Sequence, residues 1–286
     1  MILQLVIIAI INGSLYALIA IGLTLIFGVM GVVNFAHSNL LMLSLFFTFW
    51  IFSLLGMNPY LGLLFLVPIF FLIGKAMYHF LIKPVLDKPI ETQICVTFGL
   101  SFVLSKGALL LWGPRPRVVK TAYDLYKINI FNSIITLPQL FMFITSVIVL
   151  ISLSLFLNKT YTGKAMRAVS QNRIGAQLLG INTDSIYSLA FGIGMICVAM
   201  AGATMSPMYP ITPFIGNDFL SIAFIIVVFG GVKSLVGTVI AAIILSFVET
   251  GTSFFITIHL KNAILYMTFI TILLVKPMGL INPRKK

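Results

Sequence analysis

Residues able to perform acid–base, nucleophilic or metal chemistry are few and scattered along this sequence. Its 286 residues include six Asp and Glu, three His and two Cys. His37, His79 and His259 lie far apart, and no spacing typical of a zinc site occurs among them. Because a catalytic site needs an acid, a base or a metal held close together, the sequence predicts neither an enzyme nor a metal site.

Motifs that bind phosphate or carry a nucleophile are also absent from the sequence. The run Gly-Val-Lys-Ser at 231–234 has the wrong spacing for a phosphate loop and lies within an apolar stretch. Neither H-E-x-x-H nor G-x-S-x-G occurs. Cys95 and Cys197 both fall in apolar stretches, which argues against a disulfide. The sequence therefore predicts no cofactor bound by this chain itself.

The composition identifies the solvent of the chain as lipid. Hydrophobic residues make up 60% of the sequence and charged residues only 8%, with a mean hydropathy of +1.15. Soluble domains carry about 25% charged residues, so this chain is expected to be an integral membrane protein. The net charge of +12 comes without a basic patch interleaved with aromatic residues, so no nucleic-acid partner is expected.

Eight apolar runs approach or exceed the roughly 20 residues that a membrane helix needs. They cover residues 3–27, 40–55, 60–82, 93–112, 137–157, 185–207, 219–249 and 262–275. The seventh run is interrupted at 230–234 by two glycines, a lysine and a serine, so it is predicted to fold as two helices. The first run lacks the basic start of a signal peptide and is too long for one, so we expect it to be retained.

These runs predict the fold class. We expect an all-α protein, a polytopic transmembrane helical bundle of about eight to nine membrane segments. Broken or re-entrant helices are expected near 34–39 and 230–234. No compositional break divides the chain, so residues 1–286 are predicted to form a single domain.

Lys and Arg residues between the runs predict the orientation of the chain. More of them accompany loops 83–92 and 158–184 and the tail Arg284, Lys285 and Lys286 than lie on the other side, which carries loop 113–136. The positive-inside rule then places the N-terminus outside and the C-terminus in the cytoplasm. Loop 113–136 is expected to form a small extracytoplasmic cap. Loop 158–184 is predicted to form a short amphipathic cytoplasmic helix pair that ends at Gly180.

Small residues recur at helical spacing in three of the runs and indicate close helix–helix packing. They are Gly13, Ala17, Ala20, Thr24 and Gly28 in the first run, Ala190, Gly194, Cys197, Ala201 and Thr204 in the sixth, and Gly237 and Ala241 after the double glycine. Such stripes predict a tight bundle and identify no substrate.

Two polar features within the apolar sequence allow alternative interpretations. The segment 34–39 (Asn-Phe-Ala-His-Ser-Asn) is either a solvated loop or an unwound segment facing a transport pathway. Glu249 is either a functional acid within the membrane or a helix-end residue that reaches the interface. Asp218 is expected to be a charge near the start of a helix.

Three longer segments resemble a known family. They are GSLYALIAIGLTLIFGVMGVVNFAHSNLLML at 13–43, RAVSQNRIGAQLLGINTDSIYSLAFGIGMICVAMAGA at 167–203 and PFIGNDFLSIAFIIVVFGGVKSLVGTVIAAIILSFVET at 213–250. Their order and separation are similar to those of the high-affinity branched-chain amino acid permeases of ATP-binding cassette importers. The resemblance implies a permease subunit of the bacterial inner membrane that moves branched-chain or related apolar amino acids.

The resemblance also implies partners. They are a second related permease, two cytoplasmic ATPase subunits that bind ATP and Mg, and an extracytoplasmic solute-binding protein. The segment 158–184 would then be the coupling loop that docks on an ATPase, with candidate residues Met166, Arg167, Ala168, Asn172, Ala176, Leu179, Gly180 and Ile181. Candidates for the translocation pathway are Asn34, His37, Ser38, Gly230, Gly231, Lys233 and Ser234.

The sequence departs from the family pattern at two positions. Ser38 and Lys233 stand where the family usually has glycine. Lys233 would either favour an anionic or carboxylate-bearing substrate or extend to the cytoplasmic surface. A sister permease for urea or short-chain amides and, from a different class, a passive channel are the alternative functions.

Overall fold

The computed structural model describes residues 2–121, 123, 126–130, 133–276 and 279–281. The predicted tail residues Arg284, Lys285 and Lys286 lie outside the described residues. The helices of the described chain are α1 (Ile2–Met30), α2 (His37–Leu55), α3 (Pro59–Met77), α4 (Ile90–Trp112), α5 (Leu137–Lys159), α6 (Tyr161–Gln171), α7 (Arg173–Leu178), α8 (Thr183–Met205), α9 (Ile215–Gly230), α10 (Leu235–Phe255) and α11 (Lys261–Val275). Two short antiparallel strands, β1 (Lys127–Ile130) and β2 (Ser133–Thr136), form a hairpin between α4 and α5.

The predicted all-α membrane bundle is confirmed. Within the described residues, seven helices are long and apolar enough to cross a membrane, with α3 continuing as far as Val85, and α9 and α11 are shorter apolar helices. The helix breaks predicted near 34–39 and 230–234 are also present, since α1 ends at Met30 and α2 begins at His37, and α9 ends at Gly230 and α10 begins at Leu235. The eight apolar runs therefore correspond to nine apolar helices among the described residues, because the run 219–249 is divided between α9 and α10.

Several helices begin at a polar side chain that accepts a hydrogen bond from the first turn. Asn58, Thr160, Asn182 and Ser234 each cap the helix that follows, with N–H to oxygen distances of 3.0 to 3.1 Å. The first backbone N–H groups of a helix have no partner within it, so these side chains satisfy groups that lipid cannot. The sequence thus fixes the start of α3, α6, α8 and α10.

Helix α1 lies at the centre of the bundle. It is apolar on all sides, and most of its residues from Ile11 to Ile26 are buried against α5, α8, α9 and α10. A helix without a polar face is typical of a span surrounded by other helices. By contrast, α4 and α5 each expose large apolar side chains, among them Phe102, Leu110 and Ile148, as suits a helix facing lipid.

Glycines set the close approach of the central helices. A Cβ atom at Gly22 of α1 would lie 2.6 Å from the Gly194 carbonyl oxygen of α8. A Cβ atom at Gly74 of α3 would lie 2.8 Å from the Gly192 Cα of α8. Because the hydrophobic effect does not drive association in lipid, such backbone contacts provide the van der Waals attraction that holds these helices together.

Candidate functional site

A large cavity lies among α1, α9, α10 and α11, at the end of the bundle where α1 begins. Its volume is about 940 Å³, and its walls include Leu5, Asn12 and Tyr16 of α1, the segment after α8 and the first turns of α9 and α11. We name it the Glu249 cavity. Its size and its mixed apolar and polar lining are typical of a site for a small molecule.

Glu249 is the buried charge of this cavity. Its side chain is only 9% exposed, its Oε2 accepts a 2.7 Å hydrogen bond from the Tyr16 hydroxyl, and its Oε1 forms a 3.0 Å ion pair with Lys261 Nζ. Helix α10 continues beyond it to Phe255, so Glu249 does not end its helix. Glu249 is therefore a buried, paired acid within α10 and not the helix-end residue that one sequence interpretation expected.

The rest of the lining combines polar and apolar groups. Asn12, Asn217 and Asp218 supply polar atoms, whereas Ile8, Ile222 and Leu265 supply apolar surface. Asp218 lies in the first turn of α9, as the sequence predicted. Tyr209, in the segment between α8 and α9, also lines the cavity, and burial together with the Glu249 charge raises its pKa to about 12. Tyr209 therefore stays a neutral hydrogen-bonding group at physiological pH.

The pathway candidates at 34–38 lie in the interior of the chain and do not line the Glu249 cavity. Asn34, His37 and Ser38 are at most 1% exposed, so the segment is not a solvated loop. His37 Nε2 hydrogen-bonds to the Ile19 carbonyl at 2.9 Å, and Asn34 Oδ1 accepts a bond from the Ala36 N–H. Helix α9 packs directly on this segment, because a Cβ at Gly216 would lie 2.6 Å from the Ser38 carbonyl oxygen.

Several polar atoms of this segment have no hydrogen-bond partner among the described residues. They are Asn34 Nδ2, His37 Nδ1, Ser38 Oγ and Asn39 Oδ1. A buried unsatisfied polar atom costs roughly 1–3 kcal/mol, and native proteins hold few of them. Four within six residues mark the segment as the part of the core with the most unused hydrogen-bonding capacity.

The candidates at 230–234 lie at the opposite end of α1. Gly231 has a φ of +96°, and the Gly230 backbone touches Gly237 of α10. Exposed Lys233 donates from Nζ to the Ser170 carbonyl near the end of α6, at 3.4 Å. A small cavity of about 70 Å³ brings Lys233 beside Arg167. Lys233 thus lies at the bundle end that carries α6.

The predicted amphipathic helix pair is present as α6 and α7. Met166 and Ala176 are buried against the bundle, whereas Arg167 is exposed and donates to Asn158 Oδ1 at 3.1 Å. Asn172 lies between the helices, and its side chain accepts the Gly175 N–H at 2.8 Å and so starts α7. Ala168, in α6, is half-buried. The pair is therefore fixed to the bundle on one face and free on the other.

The end of α7 is formed by Gly180, as the sequence predicted. Gly180 has a φ of +78°, and the Ile181 N–H donates to the Ala176 carbonyl at 3.0 Å. This is the usual way in which a helix ends at a left-handed glycine. Next to it, Leu178 and Leu179 are 84% and 81% exposed.

The start of α7 is held by an ion pair. Arg173 pairs with Asp87 at 2.6 Å, and this lowers the pKa of the Asp87 carboxyl.

Comparison with known proteins finds relatives that cover most of the chain. The family model "Branched-chain amino acid transport system / permease component" matches residues 5–273. The chain belongs to this permease family. It is 30% identical to the high-affinity branched-chain amino acid transport system permease protein LivH of Salmonella typhimurium, over 94% of this chain and 92% of LivH.

Two further relatives of this permease family are less similar to the chain in sequence. The BraD permease protein of Pseudomonas aeruginosa is 27% identical over 94% of this chain and 92% of its own. A probable LivH permease protein of Methanocaldococcus jannaschii is 25% identical, over 87% of this chain and 80% of its own length. No solved structure matches the chain. The relatives are transport components, so this permease is a multi-pass inner-membrane protein and not an enzyme in itself.

Sequence reasoning missed two members of the Glu249 site in this permease. Tyr16 is 233 residues away from Glu249 and lies within an apolar run, where a tyrosine gives no pairing signal. Lys261 opens α11 and lies 12 residues after Glu249. An acid within a span and a base at the start of the next span could have been paired from the sequence, because charges at membrane depth need partners.

The predicted packing stripes lie at helix contacts in the permease. A Cβ at Gly13 would meet the Ile243 Cα of α10 at 3.0 Å, and Gly28 faces the Val232 carbonyl oxygen at 3.7 Å. The other members are buried within α1, α8 and α10 as well: Ala17, Ala20, Thr24, Ala190, Gly194, Cys197, Ala201, Thr204, Gly237 and Ala241. Gly22 belongs to the same contact but was absent from the predicted stripe.

Thr24 and Thr238 join α1 to α10 through their hydroxyl groups, which lie 2.8 Å apart and buried. Thr24→Val is expected to lower the free energy of unfolding by about 1 kcal/mol, because it removes this interhelical bond. Thermal unfolding in mild detergent measures the change. Thr48→Val is the matched control, since its equally buried hydroxyl bonds only within α2, and equal losses in both variants would contradict the prediction.

Proposed function

We propose that this chain is the permease subunit of an ATP-driven importer of branched-chain or related apolar amino acids. The observation that carries the proposal is the family match over residues 5–273, together with relatives whose names specify branched-chain amino acid transport. The arrangement of the bundle supports it, because the Glu249 cavity and the α6–α7 pair lie at opposite ends of α1. An importer needs a substrate site on one side of the membrane and a contact for its ATPase on the other.

The partners are those that the family resemblance implies. Two cytoplasmic ATPase subunits bind ATP and Mg, a second related permease completes the pathway, and a solute-binding protein delivers the amino acid. Support comes from the sequence, which carries no phosphate loop, and from Leu178 and Leu179, whose exposed apolar side chains suit a protein contact. Residues 1–286 form one permease domain, with 158–184 as its coupling segment and 113–136 as its cap.

The orientation places α6 and α7 in the cytoplasm and the N-terminus outside. The greater number of basic residues on the α6–α7 side supports it, and exposed Lys233 adds one more on that side. The Glu249 cavity then faces the compartment from which a solute-binding protein delivers its ligand.

The coupling route runs from α7 to the double glycine. ATP binding and hydrolysis on the partner subunits shift the bundle between two packings, and the α6–α7 pair transmits that bias. The Lys233–Ser170 bond connects α6 to the turn between α9 and α10, and α10 in turn carries Glu249. Movement of α6 is thus linked to the cavity through a single helix.

Arg167→Ala and Gly180→Val are each expected to uncouple transport from ATP hydrolysis. Arg167 is exposed on α6, and valine at a φ of +78° is strained, so each change alters the coupling segment without entering the bundle core. Uptake should fall about tenfold while the complex still hydrolyses ATP. Uptake and hydrolysis are measured together in proteoliposomes, with Lys164→Ala on α6 as the control. Wild-type coupling in both test variants would contradict the assigned role.

The proposed assembly is tested by affinity purification of the tagged chain from native membranes in mild detergent, followed by mass spectrometry. Recovery of an ATPase pair, a second permease and a solute-binding protein is expected. A chain recovered alone that transports in liposomes without ATP would instead be a passive channel. A binding protein specific for urea or short amides would overturn the amino-acid substrate and leave the importer architecture in place.

A further inference from the structure

The Glu249 cavity contains an ion pair whose two members differ in exposure. The Lys261 side chain is 37% exposed, whereas that of Glu249 is 9% exposed. Tyr16 holds the carboxylate from the opposite side through its 2.7 Å hydrogen bond. The negative charge is therefore fixed on a buried side chain, and the positive charge lies on a more exposed and flexible one.

The charges of the cavity also differ from those of the whole protein. The chain has 18 Lys and Arg against six Asp and Glu. Of the described residues that line this cavity, Asp218 and Glu249 are acidic and Lys261 is the only base. A cationic group is consequently favoured here, in a protein that elsewhere repels cations.

Apolar surface lies next to this charged group. Leu5, Ile8, Phe219, Ile222 and Leu265 line the same cavity. Tyr16 connects the charged and the apolar regions of the cavity. Its hydroxyl contacts Glu249, and its ring packs edge-on against the Phe219 ring, with 6.3 Å between the ring centroids. A ligand that presents a charged end and an apolar end could satisfy both regions at once.

We propose that the Glu249 cavity binds the amino acid itself, with Glu249 accepting the α-ammonium group and Lys261 pairing with the α-carboxylate. The inference rests on the proposed transport function and assigns it a binding site. The ligand's ammonium group takes the place of Lys261 Nζ at the Glu249 carboxylate. The freed lysine then meets the carboxylate carried by the same carbon atom, so no charge is left unpaired.

This arrangement selects for zwitterions with an apolar side chain. A neutral amide such as urea offers no charge to replace Lys261 and so leaves the ion pair closed. A simple carboxylate pairs with Lys261 but leaves Glu249 without a cation in a buried position, which is costly. The aliphatic side chain lies against Ile8, Ile222 and Leu265.

Protection of an engineered cysteine tests the site. Thr250 lines the cavity one residue from Glu249, and the protein carries free cysteines at positions 95 and 197. Thr250→Cys is introduced into the full chain with Cys95→Ala and Cys197→Ala, and membrane vesicles are labelled with membrane-permeant N-ethylmaleimide. L-leucine is expected to slow labelling about fivefold when present at a few times its dissociation constant. L-leucinamide and 4-methylpentanoate, which each lack one charge, should protect far less.

Substitution of Glu249 tests whether its carboxylate binds L-leucine. Glu249→Gln should abolish protection by L-leucine, where protection is the labelling rate with ligand relative to that variant's own rate without ligand. Glu91→Gln, an exposed acid at the start of α4, is the matched control and should keep protection. Should Glu249→Gln fail to fold, the comparison of the three ligands in the Thr250→Cys protein that keeps Glu249 still tests whether binding needs both ligand charges. Equal protection by L-leucine and 4-methylpentanoate would overturn the proposal.

Uptake measured in parallel distinguishes a failure of this binding site from a failure of the proposed transport function. ATP-driven leucine uptake without any protection by L-leucine would overturn this binding site and leave the transport function intact. An assembled complex that takes up no amino acid would overturn the proposed function itself. Protection that requires both ligand charges and Glu249, together with uptake, is the result expected.

Discussion

Gly237→Ala is expected to destabilise the permease by about 2–3 kcal/mol, although alanine is the better helix former. A Cβ at this position of α10 would overlap the Gly230 carbonyl oxygen at the end of α9, and would lie 3.0 Å from Ser234 Oγ. Backbone atoms cannot rotate away, so α9 and α10 must separate. The loss should appear as a lower melting temperature in mild detergent and as a lower yield of folded protein.

Gly251→Ala, in the same helix, is the matched control. No atom lies within 4 Å of a Cβ built at Gly251, so this substitution should be neutral or stabilise the helix by up to about 1 kcal/mol. The two variants make the same chemical change in α10 and differ only in what the new methyl group meets. Equal effects in both would show that the close approach of α9 and α10 does not contribute to stability.

Leu178→Glu combined with Leu179→Glu is expected to abolish recovery of the ATPase subunits with this chain. Both side chains are more than 80% exposed beside the end of α7, so the substitutions cost the isolated permease little. If an ATPase subunit covers them, the new charges become buried without partners, which is costly. The affinity of the permease for the ATPase subunit should then fall by about 100-fold or more, which corresponds to about 3 kcal/mol. Quantitative mass spectrometry of the purified complex measures the loss.

Gln171→Glu provides the control for added charge. Gln171 is exposed at the end of α6, just before α7 in the sequence and at the same end of the bundle. This variant should retain the ATPase subunits. Undiminished ATPase recovery from the double glutamate variant would exclude the end of α7 as the docking surface.

The membrane spans were predictable because lipid imposes a simple length and composition on them. The run 93–112, for example, became α4 (Ile90–Trp112) with a start three residues earlier. The largest boundary error was at α10, where Thr250, Gly251 and Ser253 lower the local hydropathy although the helix continues to Phe255. In that helix, Thr252 and Ser253 satisfy their hydroxyls on backbone carbonyls four residues earlier, which hydropathy alone does not detect.

The candidate site was less predictable because its members come from distant parts of the chain. Glu249 stood out as an acid in an apolar run, but its burial depends on Tyr16 of α1 and Lys261 of α11. Such a pairing is set by which helices become neighbours, and hydrophobic periodicity in lipid does not specify neighbours. The helix-ending role of Gly180, by contrast, is local and followed directly from the sequence.

Uptake of radiolabelled L-leucine into liposomes that contain the purified complex tests the central claim most directly. The assembled complex, supplied with the solute-binding protein on its N-terminal side and ATP on the α6–α7 side, should accumulate leucine above its outside concentration. Accumulation should stop without ATP or without the ATPase subunits. Leucine that merely equilibrates across the membrane, at the same rate with and without ATP, would contradict the account and identify a passive channel.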